Sequence, residues 1–224
     1  MKWVITSDCE SGDPQIAIAR DERLLEQVGA GDAPATLRIW QTRKSIAVPR
    51  HFSRVNGFDR AEKVLGNRGW PIVLRSSGGS AMPQGPGIVN ISMIFPHDQS
   101  LSIDAVFRLL TDPLREFCDG LGISANVGSV PGSFCDGSYN LVVNKQKLAG
   151  TAQRRKKHAV LAHAALQVDL DLIDICQSIN FLNNAIGRDE QCRPDAATTL
   201  AMVLGQEISA AEVVQGLDAF FAAA

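Results

Sequence analysis

The stretch SYNLVVNKQKLAGTAQRR, residues 138–155, does most to limit the choice of fold. Residues 139–143 and 147–153 have the length and composition of strands, and the polar turn Asn144-Lys145-Gln146 lies between them. Two strands joined by so short a turn pair antiparallel, whereas parallel strands need a crossover of a dozen or more residues. The stretch therefore argues against a purely parallel sheet of the Rossmann type.

The rest of the chain mixes helices and strands in no regular order. Asp13-Pro14 predicts a helix start, because an N-cap acceptor is followed by proline in the first turn. Ser209 and Glu212 have the spacing of a capping box and predict the start of the last helix. Pro113 should kink or split the helix that contains it. We predict strands at residues 2–7, 37–43, 45–50, 70–76 and 87–95, a strand pair or one long bent strand at 158–171, and helices at 16–28, 53–69, 103–121, 173–184, 195–204 and from 209 onward.

This mixture predicts an α+β (mixed α/β) fold. The length of 224 residues suits one large domain. We therefore expect a single domain over residues 1–224, with the helical segment at about 173–224 packing on it.

Composition indicates an ordinary globular protein. The chain is 45% hydrophobic and 21% charged, and its formal net charge of −2 gives no reason to expect nucleic-acid binding. The apolar runs are too short for a transmembrane helix, and the N-terminal residues lack the apolar core of a signal peptide. We therefore expect a cytoplasmic protein. Because the five cysteines form no CxxC pair and the four histidines lack ligand spacing, we predict neither a metal site nor a disulfide framework.

The glycine-rich stretch RSSGGSAMPQGPG, residues 75–87, is the first candidate site. Gly78 and Gly79 permit positive φ and a close approach of the backbone to a ligand, and N–H groups there could hold a phosphate, a carboxylate or an acyl carbonyl. Arg75 at the start of the stretch favours a site. The alternative is a long hairpin loop. Neither a Walker A motif nor GxGxxG is present, so the spacing does not require a nucleotide.

Cys135 and Lys147 are the candidate reactive residues. Cys135 lies in the polar loop SFCDGS, and the cations that follow would favour its thiolate. Lys147 begins an apolar strand, where burial would lower its pKa and suit it to proton transfer or to polarising a carbonyl. Both have ordinary alternatives, an inert packing cysteine and a solvent-facing lysine. Five strand residues span about 17 Å, so the two side chains cooperate only if the loop folds back.

Other charged and sulfur-containing residues have simpler interpretations. Lys145, at the tip of the turn, should face solvent. The run from Arg154 to His158 is the one concentration of positive charge. Such a run is usually a solvated face, and it would also suit an acidic protein partner. Four other cysteines have no setting like that of Cys135: Cys9, Cys118, Cys176 and Cys192. Cys118 and Cys176 fall within predicted helices and are interpreted as packing residues.

Four blocks together resemble the superfamily of lipoate–protein ligases, octanoyltransferases and biotin–protein ligases. AIARDERLL, residues 17–25, is similar to the family's early Ala-x-Asp-Glu-x-Leu-Leu helix. Residues 75–92 are similar to its Arg-x-x-Gly-Gly loop, which ends in an Asn-x-Ser strand. KLAGTAQRR, residues 147–155, and HAVLAHAALQVDLDL, residues 158–172, are similar to its lysine block and to the strand pair that follows.

Within that superfamily, CDGSYN at residues 135–140 most resembles the Cys-x-Gly-Ser-Tyr-Asp loop of the cysteine-dependent octanoyl-H-protein amidotransferases. The Gly-Arg-Gly-Arg-type loop that is usual in biotin ligases is absent. The chain also ends about where the catalytic domain should end, without the additional domain of many ATP-using ligases, which favours a transferase. It departs from the family at Lys145, where a turn glycine is common, and at His163-Ala164, where His-Gly is usual.

The resemblance implies a class II biotin/lipoate ligase-like catalytic domain, with a mixed central sheet flanked by helices. It implies an acyltransferase without a cofactor, in which Cys135 forms a thioester and Lys147 contacts the acyl carbonyl. The implied partners are lipoyl-carrier domains, of the glycine-cleavage H protein or of a 2-oxoacid dehydrogenase E2, with acyl carrier protein as another donor. The residues implied in acyl binding are Arg75, Ser77, Gly78, Gly79, Ser80, Asn90, Gly150, Thr151, Ala152 and His163, and those implied in carrier docking are Arg154, Arg155 and Lys156.

Two other functions stay open at this point. An ATP-dependent lipoate–protein ligase would bind an acyl-adenylate with Mg-ATP and give Cys135 no role. A non-catalytic protein that binds an acyl group or a lipoyl domain would keep the fold without turnover. The sequence does not choose between octanoyl and lipoyl groups, or between physiological donors and acceptors.

Overall fold

A computed structural model describes residues 2–97 and 100–223, apart from the side chains of residues 9–11, Cys9 among them. Ten strands and six α-helices lie within these ranges, with 3₁₀ turns at Arg50–Arg54 and Pro194–Ala196. The strands are β1 (Val4–Gly12), β2 (Thr36–Thr42), β3 (Ser45–Pro49), β4 (Ile72–Arg75), β5 (Met82–Gln84), β6 (Ile88–Pro96), β7 (Asn126–Gly128), β8 (Asn140–Val143), β9 (Gln146–Arg155) and β10 (Ala159–Gln167). The helices are α1 (Pro14–Ala30), α2 (Phe58–Asn67), α3 (Ile103–Gly120), α4 (Leu172–Ala185), α5 (Leu200–Leu204) and α6 (Ala210–Ala223).

A mixed sheet of seven strands forms the centre of the fold, in the order β1-β2-β6-β10-β9-β8-β7. β1 and β2 are parallel, and every other neighbouring pair is antiparallel. A smaller sheet has the order β4-β3-β5. The predicted α+β fold with a mixed central sheet is confirmed.

The two faces of β10 contribute to different parts of the protein, because successive side chains of a strand point to opposite faces. Val160 and Ala162 belong to a core that includes Leu110 of α3 and Leu217 of α6. The opposite face, with His163, is the floor of a pocket that α1 and the smaller sheet cover. The candidate site therefore lies on the face that α3 and α6 leave free.

A second apolar core supports the segment around Cys135. Leu65 of α2 and Ile179 of α4 pack there with the fully buried ring of Phe134. The residue before Cys135 is thus an apolar anchor. It holds the cysteine loop against the domain.

The caps that the sequence predicted are present. Asp13 accepts hydrogen bonds from the backbone N–H groups of Gln15 and Ile16 at the start of α1. Ser209 and Glu212 form the reciprocal capping box, at 2.7 Å and 3.2 Å. Both helices therefore begin at the residues that their capping side chains predict.

At three places the structure excludes one of the alternatives that the sequence left open. Pro113 does not split α3, which runs through it; the carbonyl that loses its donor belongs to Leu109, an exposed residue. Residues 158–171 contain one strand, β10, rather than a pair. The glycine-rich stretch is not a hairpin loop, since it contains β5 and its flanking strands, β4 and β6, lie in different sheets.

The predicted helix at 195–204 is also shorter than expected. Ala197 forms an extended bridge beside Lys147, and Thr198 donates its backbone N–H to the carbonyl of Lys147 at 2.9 Å. Pairing with β9 therefore replaces the first helical turns. α5 starts only after Thr199, whose hydroxyl caps it. None of the described helices is long and apolar enough to span a lipid bilayer.

Candidate active site

A row of residues from four neighbouring strands forms the floor of the pocket. Gly150 of β9, Ala165 of β10, Asn90 of β6 and Trp40 of β2 are successive Cα partners across the sheet. Strands are about 4.8 Å apart, so the row is about 14 Å long. The smallest side chains lie at the end nearest Cys135, where Lys147 and Met82 fill the space above Gly150.

The pocket above this row, called the slot below, is a narrow hollow between the sheet and α1. Its other walls include Ile18 of α1, Arg75 at the end of β4, Met82 of β5 and Cys135. Its cavity volume is about 60 Å³, within about 630 Å³ of space between atoms that includes open solvent, and most of its exposed lining is apolar. Such a lining suits a hydrocarbon chain.

Cys135 is held in an unusual backbone conformation at one end of the slot. Its φ of 48° lies in the left-handed region, which residues other than glycine adopt uncommonly. In this conformation Sγ accepts a hydrogen bond from the backbone N–H of Ser80 at 3.2 Å and lies 3.8 Å from Nη2 of Arg75. The sulfur therefore faces a backbone donor and a guanidinium, which is an arrangement that favours a thiolate.

The pKa of the Cys135 thiol is lower than that of an ordinary cysteine. Burial alone would raise it, but the charges of Lys147 and Arg75 and the hydrogen bond from Ser80 together outweigh burial. The pKa of Cys118, by contrast, is raised to about 12 by burial. Of these two cysteines, only Cys135 is suited to act as a nucleophile near neutral pH.

Gly79 leaves the space that the Cys135 sulfur occupies, because it has no Cβ. A Cβ at this position would lie 2.8 Å from Sγ of Cys135 and 3.2 Å from Nη2 of Arg75, and the φ of Gly79 is +97°. Both the contact and the backbone angle require glycine. The close contact at Gly79 is with Cys135, and the approach of a ligand to its backbone stays a prediction.

Lys147 lies beneath the cysteine loop, fully buried. Its Nζ donates hydrogen bonds to the carbonyls of Phe134 and Cys135, both at 2.7 Å. The loop therefore does fold back over the lysine, which the sequence left open. Burial lowers the pKa of Lys147 to about 8, although Cys135 and Asp136 oppose the shift.

Gly150 makes room for this lysine. A Cβ on Gly150 would lie 2.9 Å from Nζ of Lys147. The ammonium thus occupies the space between the floor of the slot and the loop. That Lys147 contacts an acyl carbonyl stays a prediction, because its hydrogen bonds here go to the loop.

Asp136 holds the other side of the loop, a role that sequence reasoning missed. Its carboxylate accepts hydrogen bonds from Ser129 Oγ at 2.6 Å, from the backbone N–H of Val130 at 2.8 Å and from Asn140 Nδ2 at 2.8 Å. Burial alone would raise its pKa, but these bonds lower it, so the group is anionic. A carboxylate directly after the cysteine, with short polar residues around it, is the signal that could have indicated this role.

Arg75 organises the glycine-rich segment from inside. Its buried guanidinium donates to the carbonyls of Ser77 and Ser80, both at 2.8 Å, and to that of Gly78. The segment therefore curls around the charge and brings the N–H of Ser80 to the sulfur. Arg75 therefore lies at the site, as the sequence predicted, and its role in acyl binding stays a prediction.

His163 lies in the middle of the slot floor. Burial, with a smaller effect of Arg75, lowers its pKa to about 3, so its ring is neutral at physiological pH. A neutral ring at this place can contact an acyl group without bringing charge into the slot.

The other predicted site residues divide into two groups. One group lines the slot together with Arg75: Ser77, Asn90, Gly150, Thr151, Ala152 and His163. The other group lies outside the slot: Gly79 and Ser80 are on the far side of Cys135, and the Gly78 carbonyl accepts a hydrogen bond from Arg75.

The three basic residues predicted for docking are each bound within the chain. Arg154 donates to the Ser76 carbonyl at 2.7 Å, Arg155 donates to the Leu101 carbonyl at 2.6 Å, and Lys156 pairs with Glu26 at 2.9 Å.

A second hollow borders Cys135 on the side away from the slot. We call it the recess; its walls include Gly79, Ser80, Ser133, Asp136, Asn183 and Glu190. In the described part of the chain, no three histidine, cysteine, aspartate or glutamate side chains lie close enough together to hold a metal ion. What the geometry offers is a thiol of lowered pKa between an apolar slot and a polar recess.

The family profile of the lipoyl protein ligase A/B catalytic domain matches residues 13–222. The chain belongs to this family. An octanoyl-[GcvH]:protein N-octanoyltransferase of Kyrpidia tusciae is 34% identical to it over 217 residues, 92% of this chain and 74% of that protein. A lipoyl-[GcvH]:protein N-lipoyltransferase of Listeria monocytogenes is 25% identical over 201 residues, 86% of this chain and 72% of that protein.

A solved structure shows the same fold. The structure of a bipartite lipoate protein ligase and its E2 lipoyl domain from Thermoplasma acidophilum matches with a TM-score of 0.69, at 21% identity, over 98% of this chain and 81% of that one. The family fold that the sequence resemblance implied is thereby confirmed. For a member of this family, the apolar slot and the Cys135 thiol at its end are the features of this chain that indicate a function.

Proposed function

We propose that the protein is an acyltransferase that moves an octanoyl or lipoyl group onto the carrier-domain lysine of a lipoate-dependent protein. The acyl group passes through a thioester on Cys135. One observation supports this most: the Cys135 sulfur, with its lowered pKa, meets the Ser80 N–H at the end of an apolar slot. A thiolate so placed can attack the carbonyl of a chain that lies in the slot.

The sequence relatives support the choice of transferase. The Kyrpidia protein is named as an octanoyltransferase and the Listeria protein as a lipoyltransferase, and both names specify GcvH. The partners we propose are therefore lipoyl-carrier domains, of the H protein or of an E2 subunit, with acyl carrier protein as another donor. Octanoyl is the first choice of acyl group, since the more similar of these two relatives carries that name.

The residues around Cys135 can stabilise charge and transfer a proton, as such a reaction requires. The N–H of Ser80 and the guanidinium of Arg75 lie beside Sγ and would stabilise negative charge on the sulfur or on a developing oxyanion. Lys147, with a pKa of about 8, can take up or release a proton near neutral pH. We propose that no cofactor takes part.

We make two further proposals of the same kind. Residues 1–224 act as a single catalytic domain, in which the segment from about 173 onward packs on the sheet; Val213 and Leu217 of α6 in the main core support this. The protein works in the cytoplasm, where its proposed carriers are made. Fractionation of cells that express the tagged chain would test the second proposal.

Intact-mass spectrometry tests the proposed function. The protein is mixed with an octanoylated carrier domain, and we expect the mass of one octanoyl group to appear on the wild type and not on Cys135→Ser. Cys118→Ser serves as the matched control and should still be acylated, since that cysteine is buried in α3.

Two results would contradict the proposal. Adenylate formation from free lipoate that requires Mg-ATP, together with normal transfer by Cys135→Ser, would establish a ligase instead. Tight binding of acyl-carrier domains without any turnover would establish a binding protein.

A further inference from the structure

Cys135 lies in the wall of two hollows. Its sulfur is 3.8 Å from Arg75, which lines the slot, and 3.2 Å from the N–H of Ser80, which lines the recess. A group on the sulfur can therefore be approached from the recess while its chain lies in the slot. The two substrates of an acyl transfer, a chain and an amine, need two such places.

Two hydrogen-bond acceptors in the recess wall lack a partner. Asn183 and Ser133 are 5% and 8% exposed. Asn183 Oδ1 and Ser133 Oγ make no hydrogen bond to any residue within 2–97 and 100–223. Buried polar atoms are nearly always paired, so two unpaired acceptors beside one hollow suit a hydrogen-bond donor as its ligand. Both oxygens are enclosed, so each must turn toward the recess, by rotation of its side chain, to meet that donor.

The charge of the recess wall favours the same kind of ligand. Asp136 is anionic, held so by the hydrogen bonds it accepts. Glu190 is also a carboxylate, but Arg188 neutralises it through a contact at 2.6 Å. The charge of Lys147 acts on Asp136 from beneath the loop, so the recess is close to neutral. Such a recess suits an uncharged amine, which is the nucleophilic form of a lysine side chain.

We propose that the recess binds the side chain of the carrier-domain lysine, with its amino group beside the Cys135 thioester while the acyl chain lies in the slot. The proposal rests on the proposed function, because it requires an acyl group on Cys135. It adds the side from which the acceptor reaches the thioester and the residues that receive it, Ser133 and Asn183.

The bond changes balance without another reactant. The lysine nitrogen attacks the thioester carbonyl carbon from the recess, a C–N bond forms as the C–S bond breaks, and the proton lost by the amine ends on Sγ. When an acyl-lysine donor loads the enzyme, the C–S bond forms, the C–N bond breaks and the amine takes the thiol proton. The same recess then holds the departing lysine.

Two variants of the full chain test the proposal. Gln191 is an exposed residue of the recess wall, so Gln191→Trp should obstruct the recess from its rim. Ser133→Ala removes an acceptor that has no partner in the described structure, so a purely structural role predicts no effect. Gln177→Trp, at an exposed position of α4 that is not among the residues lining the recess, is the matched control.

Two rates are measured for each variant: acylation of Cys135 by octanoyl-N-acetylcysteamine, and transfer from the isolated acyl-enzyme to an apo lipoyl-carrier domain. We expect the ratio of transfer to acylation to fall about tenfold or more in Gln191→Trp. The carrier concentration at half-maximal transfer should rise about three- to tenfold in Ser133→Ala. Gln177→Trp should keep both rates.

Unchanged transfer in both variants would overturn the recess as the lysine site. If Gln191→Trp fails to fold, it loses acylation as well, and Ser133→Ala then decides. A wild-type protein that takes no octanoyl group on Cys135 would overturn the proposed function and this proposal with it, so the two failures are distinct.

Discussion

The ammonium group of Lys147 lies directly beneath the candidate nucleophile and donates a hydrogen bond to the backbone carbonyl of Cys135 at 2.7 Å. The same charge helps to lower the pKa of the thiol, against the effect of burial. Lys147 therefore contributes both to the position of Cys135 and, with Arg75 and Ser80, to its ionisation. A change at Lys147 should alter both.

Replacement of Lys147 should raise the pKa of the Cys135 thiol. Burial opposes the thiolate, and Lys147→Met removes the largest of the charges that offset burial, so the thiol should ionise at higher pH. The measurement is the rate of Cys135 alkylation by iodoacetamide against pH, with Cys135→Ala as the blank. An unchanged midpoint would show that Lys147 does not act on the thiol.

The buried lysine should also make stability depend on pH. Its pKa is about 8 in the folded protein, against 10.5 for an ordinary exposed lysine, so between these values the unfolded chain binds a proton that the folded chain lacks. Unfolding is then less favourable as pH rises. The free energy of unfolding of the wild type, relative to Lys147→Met, should rise by on the order of 3 kcal/mol from about pH 8 to about pH 10.5. Urea titrations at several pH values would measure it, and a flat difference would contradict the burial of a charged Lys147.

Gly79 and Gly78 provide a matched pair of substitutions. Gly79→Ala would place a Cβ 2.8 Å from Sγ of Cys135 at a residue with φ of +97°, whereas a Cβ on Gly78 would meet nothing within 4 Å. We expect Gly79→Ala to lower the rate of Cys135 acylation about a hundredfold, because it displaces the sulfur, and Gly78→Ala to change it little. Equal rates in the two variants would show that the close approach at Gly79 is not required.

The slot should discriminate by chain length. Ala152 lines the slot, whereas Gln153, the next residue of β9, points to the other face. Ala152→Leu should slow acylation by an octanoyl thioester about tenfold or more and leave alkylation by iodoacetamide unchanged, since only the long chain needs the slot. Gln153→Leu is the control. A loss of both reactions in Ala152→Leu would mean that the loop, and not the slot, had been disturbed.

Local patterns in the sequence predicted much of the fold. The caps at Asp13 and Ser209 and the hairpin around residue 144 depend on neighbouring residues, and the structure has all three. The turn of that hairpin has two residues, Asn144 and Lys145, with φ of 49° and 66°. Lys145 thus occupies a left-handed position that suits glycine.

The geometry of the site depends on contacts that no local pattern reveals. Cys135 meets Ser80, 55 residues away in the chain, and the left-handed backbone at Cys135 is maintained by Lys147 and Asp136 from either side. Long-range pairing also overrode the helical pattern after residue 195, where Ala197 bridges to Lys147. The sequence therefore singled out Cys135 and Lys147, which the structure brings together, but it did not predict their closed arrangement. Their reactivity stays a prediction.

Transfer from the isolated acyl-enzyme tests the central claim most directly. Wild-type protein is octanoylated on Cys135, freed of the donor, and mixed with an apo lipoyl-carrier domain without ATP, and the masses of both proteins are followed. The acyl-thioester account predicts that one octanoyl group leaves Cys135 and appears on the carrier lysine. An octanoyl group that stays on the enzyme, or a carrier that is octanoylated equally well by Cys135→Ser in a parallel reaction with the donor, would contradict it.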